Sequence, residues 1–298
     1  MHVVRFDQYE SPSSRTILKR LGMWCVVILT PFAFLFIGLL PDTAELWLTA
    51  ALFLVAMWLG ALYVLNQEYK EAAASYQMRR DKAALTLFNA VISGGQQKFA
   101  VFLRPFYTTD KIYTNQTIMV AQQQGGTMIM VPQVVGQHKL EDTLVEAFRS
   151  TLPVVALGKP GETFGVGRVL VDEDSWQKAA YELMQRASLV ICLPSSRPGS
   201  LWEMNQIMLN HYFSKTVFIM PPNPPSFRTW KDLKEDWDLL KQEVASKGIT
   251  IPEYKRDGLL FSVDATGQCV TEKLSLDSTR TLLETFIRLS SPVIRGWR

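Results

Sequence analysis

The chain has 298 residues, of which 48% are hydrophobic and 20% are charged, and its formal net charge is +3. It is too apolar to be disordered, and it is long enough for one domain with accessory segments. The small positive charge comes without a basic stripe, which excludes a typical nucleic-acid-binding protein. The three cysteines and three histidines are scattered, so we expect neither a metal site nor a disulfide framework.

Two runs without a charged residue lie in the first part of the chain, from Leu21 to Leu40 and from Leu46 to Leu65. Each has about the length that an α-helix needs to cross a hydrocarbon core of ~30 Å. Because only a short loop separates them, the sequence predicts a two-helix transmembrane hairpin over residues 21–65. A signal peptide is the alternative for the first run, but a second run follows it and no convincing cleavage site is present.

Basic residues flank this hairpin on both sides and are absent from the loop inside it. They are Arg15, Lys19 and Arg20 before the first run, and Lys70, Arg79, Arg80 and Lys82 after the second. Cytoplasmic segments next to membrane helices are enriched in Lys and Arg, so both termini are predicted to be cytoplasmic. We therefore expect a multi-pass protein of the inner (cytoplasmic) membrane, with residues 1–20 as a cytoplasmic segment and the lipid bilayer as a partner.

Residues 66–95 are rich in good helix formers and end in Gly94 and Gly95. This pattern predicts a connector helix that continues from the membrane hairpin. Its apolar face is expected to dock on the following domain or on another copy of the same helix. A homo-oligomer is therefore among the expected assemblies.

Short apolar strands and helical patterns alternate over residues 96–298. The predicted core strands are 99–103, 153–157, 189–193 and 216–220. The alternation favours a cytoplasmic α/β domain with a parallel sheet and flanking helices. Residues 258–263 and 270–274 are expected to form a hairpin with Gly267 in the turn, and the Gln- and Gly-rich residues 107–138 are interpreted as an insertion.

The stretch 188–208 carries the most pointed chemical feature. It predicts a buried strand, a loop with Ser, Pro and Gly, and a helix capped by Ser200 with Trp202 and Glu203 in its first turn. Ligands of open α/β sheets bind at the carboxyl ends of the strands, where this loop is expected to lie. Arg104 follows the first core strand and is expected at the same edge.

Each of these side chains also has a structural interpretation. Glu203 fits a solvent-facing acid favoured by the positive end of a helix dipole. Trp202 fits a packing residue, and Arg104 fits an ion-pair partner. Cys192, inside the predicted strand, is interpreted as a core residue.

A glycine-rich stretch, 158–168, follows the second predicted strand. Backbone N–H groups of such loops can approach a phosphate closely, which adds Gly161 and Arg168 to the predicted substrate-binding residues beside Ser196. The stretch lacks the Walker and dinucleotide fingerprints, and a turn-rich connection is the alternative.

The order of these parts resembles a TIR-like domain, within the superfamily that includes nucleoside deoxyribosyltransferase-like folds. Residues 101–103 with Asp110 resemble the opening strand of the family and its trailing acid. Residues 159–162 are similar to the loop that TIR domains use for self-association. Residues 189–203 resemble the third strand and the helix that carries the catalytic glutamate. The likeness covers roughly residues 98–220 and extends to a flavodoxin-like arrangement of the sheet.

This resemblance implies cleavage of the nicotinamide–ribose bond of NAD+, or of another N-glycosidic bond, without a resident cofactor. It implies that Glu203 is catalytic and stabilises an oxocarbenium-like centre, that Arg104 holds a phosphate and that Trp202 lines the pocket. By analogy of domain type, it also implies a bacterial stress or antiphage-defence effector.

One difference from the family keeps an alternative open. TIR enzymes place the glutamate a few residues after the tryptophan, whereas Trp202 and Glu203 are adjacent, with Asn205 and Gln206 at the usual offsets. This spacing favours a non-catalytic nucleotide-binding or self-associating signalling module coupled to the membrane hairpin. A hairpin that disrupts the membrane on clustering is compatible with either hypothesis.

Overall fold

The computed structural model describes residues 22, 25, 44–105, 113–124, 127–158, 165–222, 227–264, 266–275 and 278–290. These residues form a long helix, a seven-stranded sheet, a separate two-stranded sheet and further helices. The chain divides into two compact units, and the boundary between them falls inside the long helix, between Arg79 and Arg80.

The long helix, α1, spans Ala44–Ile92 and includes the second uncharged run. Trp58, Leu59, Tyr63 and Val64 on this helix are between 46% and 65% exposed. No helix in the described part of the chain is both long and apolar enough to cross a membrane. Most of the first uncharged run lies outside the described residues. The two-span anchor therefore has no structural support and stays a prediction.

The last turns of α1 belong to the same unit as the large sheet. Ala84, Leu87 and Val91 recur at helical spacing and are buried in one core with the strand residues Val101 and Val155. The predicted docking of the connector helix on the domain is confirmed for these turns. Its self-association stays a prediction.

Nine strands and five more α-helices follow α1 within the described residues. The strands are β1 (Ala100–Leu103), β2 (Tyr113–Gln124), β3 (Thr127–Lys139), β4 (Val154–Gly158), β5 (Gly167–Leu170), β6 (Leu189–Cys192), β7 (Thr216–Met220), β8 (Leu259–Val263) and β9 (Cys269–Lys273). The helices are α2 (Leu140–Phe148), α3 (Trp176–Arg186), α4 (Pro198–Leu209), α5 (Phe227–Ala245) and α6 (Thr279–Leu289), with a 3-10 turn at Tyr212–Lys215.

The large sheet has the strand order β5-β4-β1-β6-β7-β8-β9. The five strands from β5 to β7 run parallel, whereas β8 and β9 are antiparallel to their neighbours. The predicted α/β class is confirmed, with a sheet that is mostly rather than wholly parallel. The predicted flavodoxin-like order is wrong: in chain order the five parallel strands read 3-2-1-4-5 and not 2-1-3-4-5, because β5 adds an edge strand beyond β4. The predicted β8–β9 hairpin is also confirmed, and Gly267 in its turn has a φ of +80°, which favours glycine.

Strand residues alternate between two apolar cores on opposite faces of the sheet. Val101 and Leu103 of β1 lie in one core, and Ala100 and Phe102 lie in the other. The end of α1 and helices α3, α4 and α5 cover the first face, whereas α2 and α6 cover the second. Burial on both faces explains why the central strands β1, β4, β6 and β7 are short, mostly apolar runs.

The region interpreted as an insertion contains a two-stranded antiparallel sheet, β2–β3. Its register shifts between Gln116 and Thr117. The paired strands were not predicted, because Gln and Thr interrupt any simple alternation of apolar and polar residues.

Candidate functional site

The order of the parallel strands reverses at β1. The next two strands of the large sheet, β4 and β5, add on one side of β1, and the crossover that follows β5 brings β6 to the other side. The carboxyl ends of β1 and β6 are adjacent, because Leu103 and Cys192 are register partners and the Leu193 N–H donates to the Leu103 carbonyl at 2.8 Å. Such a reversal is where open α/β sheets bind ligands.

Helix α4 brings Glu203 to this edge. It begins at Pro198, which suits a first helical turn because proline needs no backbone donor there. Its buried positions are Ser200, Glu203, Met204 and Ile207, which form one stripe at helical spacing. Glu203 is only 8% exposed. The alternative that this residue is a solvent-facing acid is therefore wrong.

Glu203 is a buried residue, and no hydrogen bond or ion pair from the described residues reaches its carboxyl. Burial raises the pKa of Glu203 to about 8, and the positive charge of Arg104 opposes this rise only in part. The carboxyl of the free protein is therefore mostly protonated at neutral pH, because removal from water disfavours its charged form.

The thiol of Cys192, at the end of β6, is fully buried in the first core. Burial raises its pKa well above the ordinary value, and the charge of Glu203 raises it further. The interpretation of Cys192 as a core residue is confirmed. A thiol that is kept protonated is a poor nucleophile.

Arg104 directly follows β1 and is 5% exposed. Its Nε lies 2.8 Å from Oε1 of Glu141 at the start of α2. The ion-pair interpretation of Arg104 is confirmed, whereas phosphate binding stays a prediction. Glu141 was not predicted from the sequence. Its burial could have been inferred from its position on the apolar face of α2, three residues before the buried Leu144 and seven before the buried Phe148.

Gly165 packs directly against Glu141. Its φ of +149° is a conformation that other residues rarely adopt. A Cβ atom at this position would overlap Oε2 of Glu141 and would lie 3.0 Å from its Cδ. The segment that precedes β5 is therefore in contact with the partner of Arg104. Gly161, the other predicted residue of this glycine-rich stretch, lies outside the described residues.

The loop between β6 and α4 is fixed by hydrogen bonds. The Ser195 N–H donates to the Ser200 Oγ at 2.9 Å, so Ser200 holds the loop from inside the helix and is not its N-cap residue. The Ser196 N–H donates to Oδ1 of Asp236 on α5 at 3.2 Å, and the Ser196 hydroxyl donates to the same oxygen. Asp236 was missed, and substrate binding by Ser196 stays a prediction.

Trp202 is partly buried against the first core. Its ring meets that of Trp176 on α3 edge to face, with centroids 5.1 Å apart. The packing interpretation of Trp202 is confirmed. Its role as a wall of a ligand pocket stays a prediction.

Arg168 lies inside the edge strand β5 and not in the loop where the sequence placed it. Its Nη2 lies 3.2 Å from Oδ2 of Asp81 on α1, and its backbone N–H donates to Oδ1 of Asp81 at 2.9 Å. Strand β4 separates β5 from β1 in the sheet. The charge of Arg104 therefore acts on the carboxyl of Glu203, whereas Arg168 forms an ion pair with Asp81.

This arrangement supports acid–base or electrostatic chemistry. A neutral buried carboxyl can donate a proton, or it can ionise and stabilise positive charge that develops beside it. No group of three or more His, Cys, Asp and Glu side chains within the described ranges could hold a metal ion.

Comparisons with known proteins found no matching family model, no matching curated protein and no matching solved structure. The resemblance to TIR-like domains therefore depends on the residues quoted from the sequence and stays a prediction.

Proposed function

We propose that residues 96–298 form a TIR-like domain that cleaves the N-glycosidic bond of NAD+ or a related nucleotide. Glu203 is the catalytic residue. One observation carries this proposal: a carboxyl that is 8% exposed, with a pKa raised to about 8, lies where the strand order reverses. Perturbed carboxyls in such positions are typical of functional sites.

In the proposed reaction, the bond between the ribose C1′ and the nicotinamide nitrogen breaks, and its electron pair leaves with nicotinamide. The positive charge that remains on the ribose is stabilised by the Glu203 carboxylate, and water adds to C1′ and releases a proton. The products are nicotinamide and ADP-ribose. Glu203 must be ionised for this role, so we expect kcat/KM to rise as the pH increases through about 8.

Arg104 supplies positive charge near Glu203 in this proposal, and it is the candidate contact for a phosphate of the nucleotide. Trp202, Ser196, Gly161 and Arg168 stay in the proposed substrate-binding set on sequence grounds. Glu203 and Arg104 have the stronger support, because the charge of Arg104 acts on the carboxyl of Glu203.

We also propose that residues 21–65 anchor the protein in the inner membrane, with the domain in the cytoplasm as part of a stress or antiphage-defence effector. Two uncharged runs support the anchor, as do four exposed apolar side chains on α1: Trp58, Leu59, Tyr63 and Val64. A homo-oligomer, formed through α1 or the domain, is the proposed assembly.

A non-catalytic nucleotide-binding or signalling module is the second candidate function. Four of the predicted substrate-binding side chains already make internal contacts: Arg104 with Glu141, Ser196 with Asp236, Trp202 with Trp176, and Arg168 with Asp81. This observation favours a domain whose surface serves recognition and not turnover.

The deciding experiment incubates the full-length protein, in detergent or liposomes, with NAD+ and follows nicotinamide by chromatography. Forced dimerisation is included because TIR-like enzymes are expected to need clustering. Glu203→Gln is compared with the matched control Glu146→Gln, since the Glu146 side chain is 57% exposed on α2. We expect release from the wild type and the control, and a loss of about 100-fold or more in Glu203→Gln. Absence of release from a folded, clustered wild type would favour the module.

A further inference from the structure

Glu141 links two parts of the domain that the sequence did not connect. One of its carboxylate oxygens pairs with Arg104 at the end of β1, and the other meets the backbone at Gly165 before β5. The Glu141 side chain is 10% exposed and the Arg104 side chain is 2% exposed. In such a dry environment, an ion pair orients both partners and neither charge is strongly screened by water.

Among the described groups around Glu203, the charge that acts on its carboxyl is that of Arg104, at the end of β1. The Cys192 thiol lies at the end of β6 and is itself affected by the charge of Glu203, and Glu141 of α2 pairs with Arg104. Arg104 favours the ionised form of Glu203, whereas the negative charge of Glu141 offsets that influence. Burial is the largest influence on the ionisation of Glu203, and Arg104 opposes it. A change at Glu141 is therefore expected to reach Glu203 through Arg104.

We propose that Glu141 is a positioning residue of this site: it holds the Arg104 guanidinium and limits how strongly that positive charge acts on Glu203. The kinetic consequence of this inference rests on the proposed function, but its electrostatic consequence does not. Gly165 takes part because only a glycine leaves room for the Glu141 carboxylate in this orientation.

The test titrates Glu203 in the full-length protein by infrared difference spectroscopy, with its protonated carboxyl band assigned by its loss in Glu203→Gln. Glu141→Gln removes one negative charge and leaves the charge of Arg104 without that compensation. We expect the titration midpoint of Glu203 to fall by about one pH unit or more. The matched control Glu146→Gln, at an exposed position on the same helix, is expected to leave the midpoint unchanged.

The pH profile of nicotinamide release supplies the second readout. If the midpoint falls from about 8 to about 7, the ionised fraction of Glu203 at pH 7 rises about fivefold. Glu141→Gln is therefore expected to have a higher kcat/KM at pH 7 than the wild type. A residue with a merely structural role would lower activity at every pH.

Gly165→Ala provides an independent variant in case Glu141→Gln fails to fold. It keeps every charge but displaces the Glu141 carboxylate, so the midpoint is expected to fall as well. An unchanged midpoint in the folded variants overturns the inference, as does nicotinamide release with an unaltered pH profile. A shifted midpoint in a wild-type background that releases no nicotinamide supports the inference and overturns the proposed function.

Discussion

Two buried arginines, Arg104 and Arg168, lie in the same domain but differ in the charged groups around them. Each pairs with a carboxylate from a helix: Arg104 with Glu141 and Arg168 with Asp81. The arginine side chains are almost equally buried, with exposures of 2% and 3%, but Asp81 is 20% exposed and Glu141 only 10%. The charge of Arg104 also acts on another buried carboxyl, that of Glu203.

The difference follows from where each residue stands on its strand. Arg104 comes directly after β1, at the edge where the strand order reverses, whereas Arg168 lies within the edge strand β5. The backbone N–H of Arg168 also bonds to Asp81, so this pair attaches the edge of the sheet to α1. Residue type and burial are the same for both arginines, so they do not distinguish the candidate site residue Arg104 from the structural residue Arg168. The two differ in their position relative to the carboxyl end of a strand.

Arg104→Met is expected to have the largest effect on stability. It leaves Glu141 and Glu203 buried without the nearby positive charge, which we expect to cost about 3–5 kcal/mol of unfolding free energy at pH 8. The loss is expected to shrink toward pH 5, because both carboxyls can then take up protons. Chemical denaturation of the full-length protein at the two pH values measures this. Equal losses of unfolding free energy at both pH values would contradict the interaction of Arg104 with the two carboxylates.

Glu203→Gln is expected to change how stability depends on pH. The pKa of Glu203 is about 8 in the folded protein and close to 4.5 when unfolded, so the folded state binds more protons between these values. Wild-type stability therefore falls as the pH rises from 4.5 to about 8, by about 4 kcal/mol from this group. The variant lacks this decline and is expected to be the more stable protein at pH 8. Parallel denaturation series for the two proteins would show no such divergence if Glu203 were ionised throughout.

Arg168→Met is expected to cost less, about 2 kcal/mol, because the Asp81 left behind is partly hydrated. The titration midpoint of Glu203 should stay where it is in the wild type, since Arg168 belongs to a separate pair. Thermal unfolding measures the loss of stability, and the infrared titration measures the midpoint of Glu203 in the same variant. A midpoint that moved by about one pH unit, as expected for Glu141→Gln, would erase the distinction between the two arginines.

Ser196→Ala is expected to have the smallest effect, about 1 kcal/mol, because it removes one side-chain hydrogen bond to Asp236 while the backbone bond remains. The variant distinguishes the contribution of the loop between β6 and α4 from that of the charged residues around Glu203. Denaturation midpoints should decrease slightly, and the pH at which Glu203 titrates should not change. A large shift of that pH would mean that the loop, and not the arginine pair, controls the carboxyl.

Much of the fold was predictable because its central strands correspond to short apolar runs in the sequence. The run around Val101 and the run around Val190 are apolar on both faces, and both became central strands. The burial of Glu203 was not predictable, because the first turn of a helix can face either water or the core. It was decided by α4 presenting Ser200, Glu203 and Met204 on one buried face.

The partners of the candidate residues were the least predictable part. Glu141, Asp236 and Asp81 are acids in helical patterns, where sequence alone suggests a solvated face. Each meets its partner only after the chain has folded, and the Asp81–Arg168 contact joins residues 87 positions apart. The β2–β3 hairpin was missed for a different reason, since its polar residues conceal the strand period.

The contact between Gly165 and Glu141 also has an evolutionary consequence. The two positions are expected to vary together, because a Cβ atom at 165 would displace the carboxylate at 141. Homologues that keep the glutamate should keep the glycine, and those that lose the glycine should carry a shorter residue at 141. Such paired inheritance gives a signature for detecting distant relatives that does not depend on the spacing between the tryptophan and the glutamate of α4.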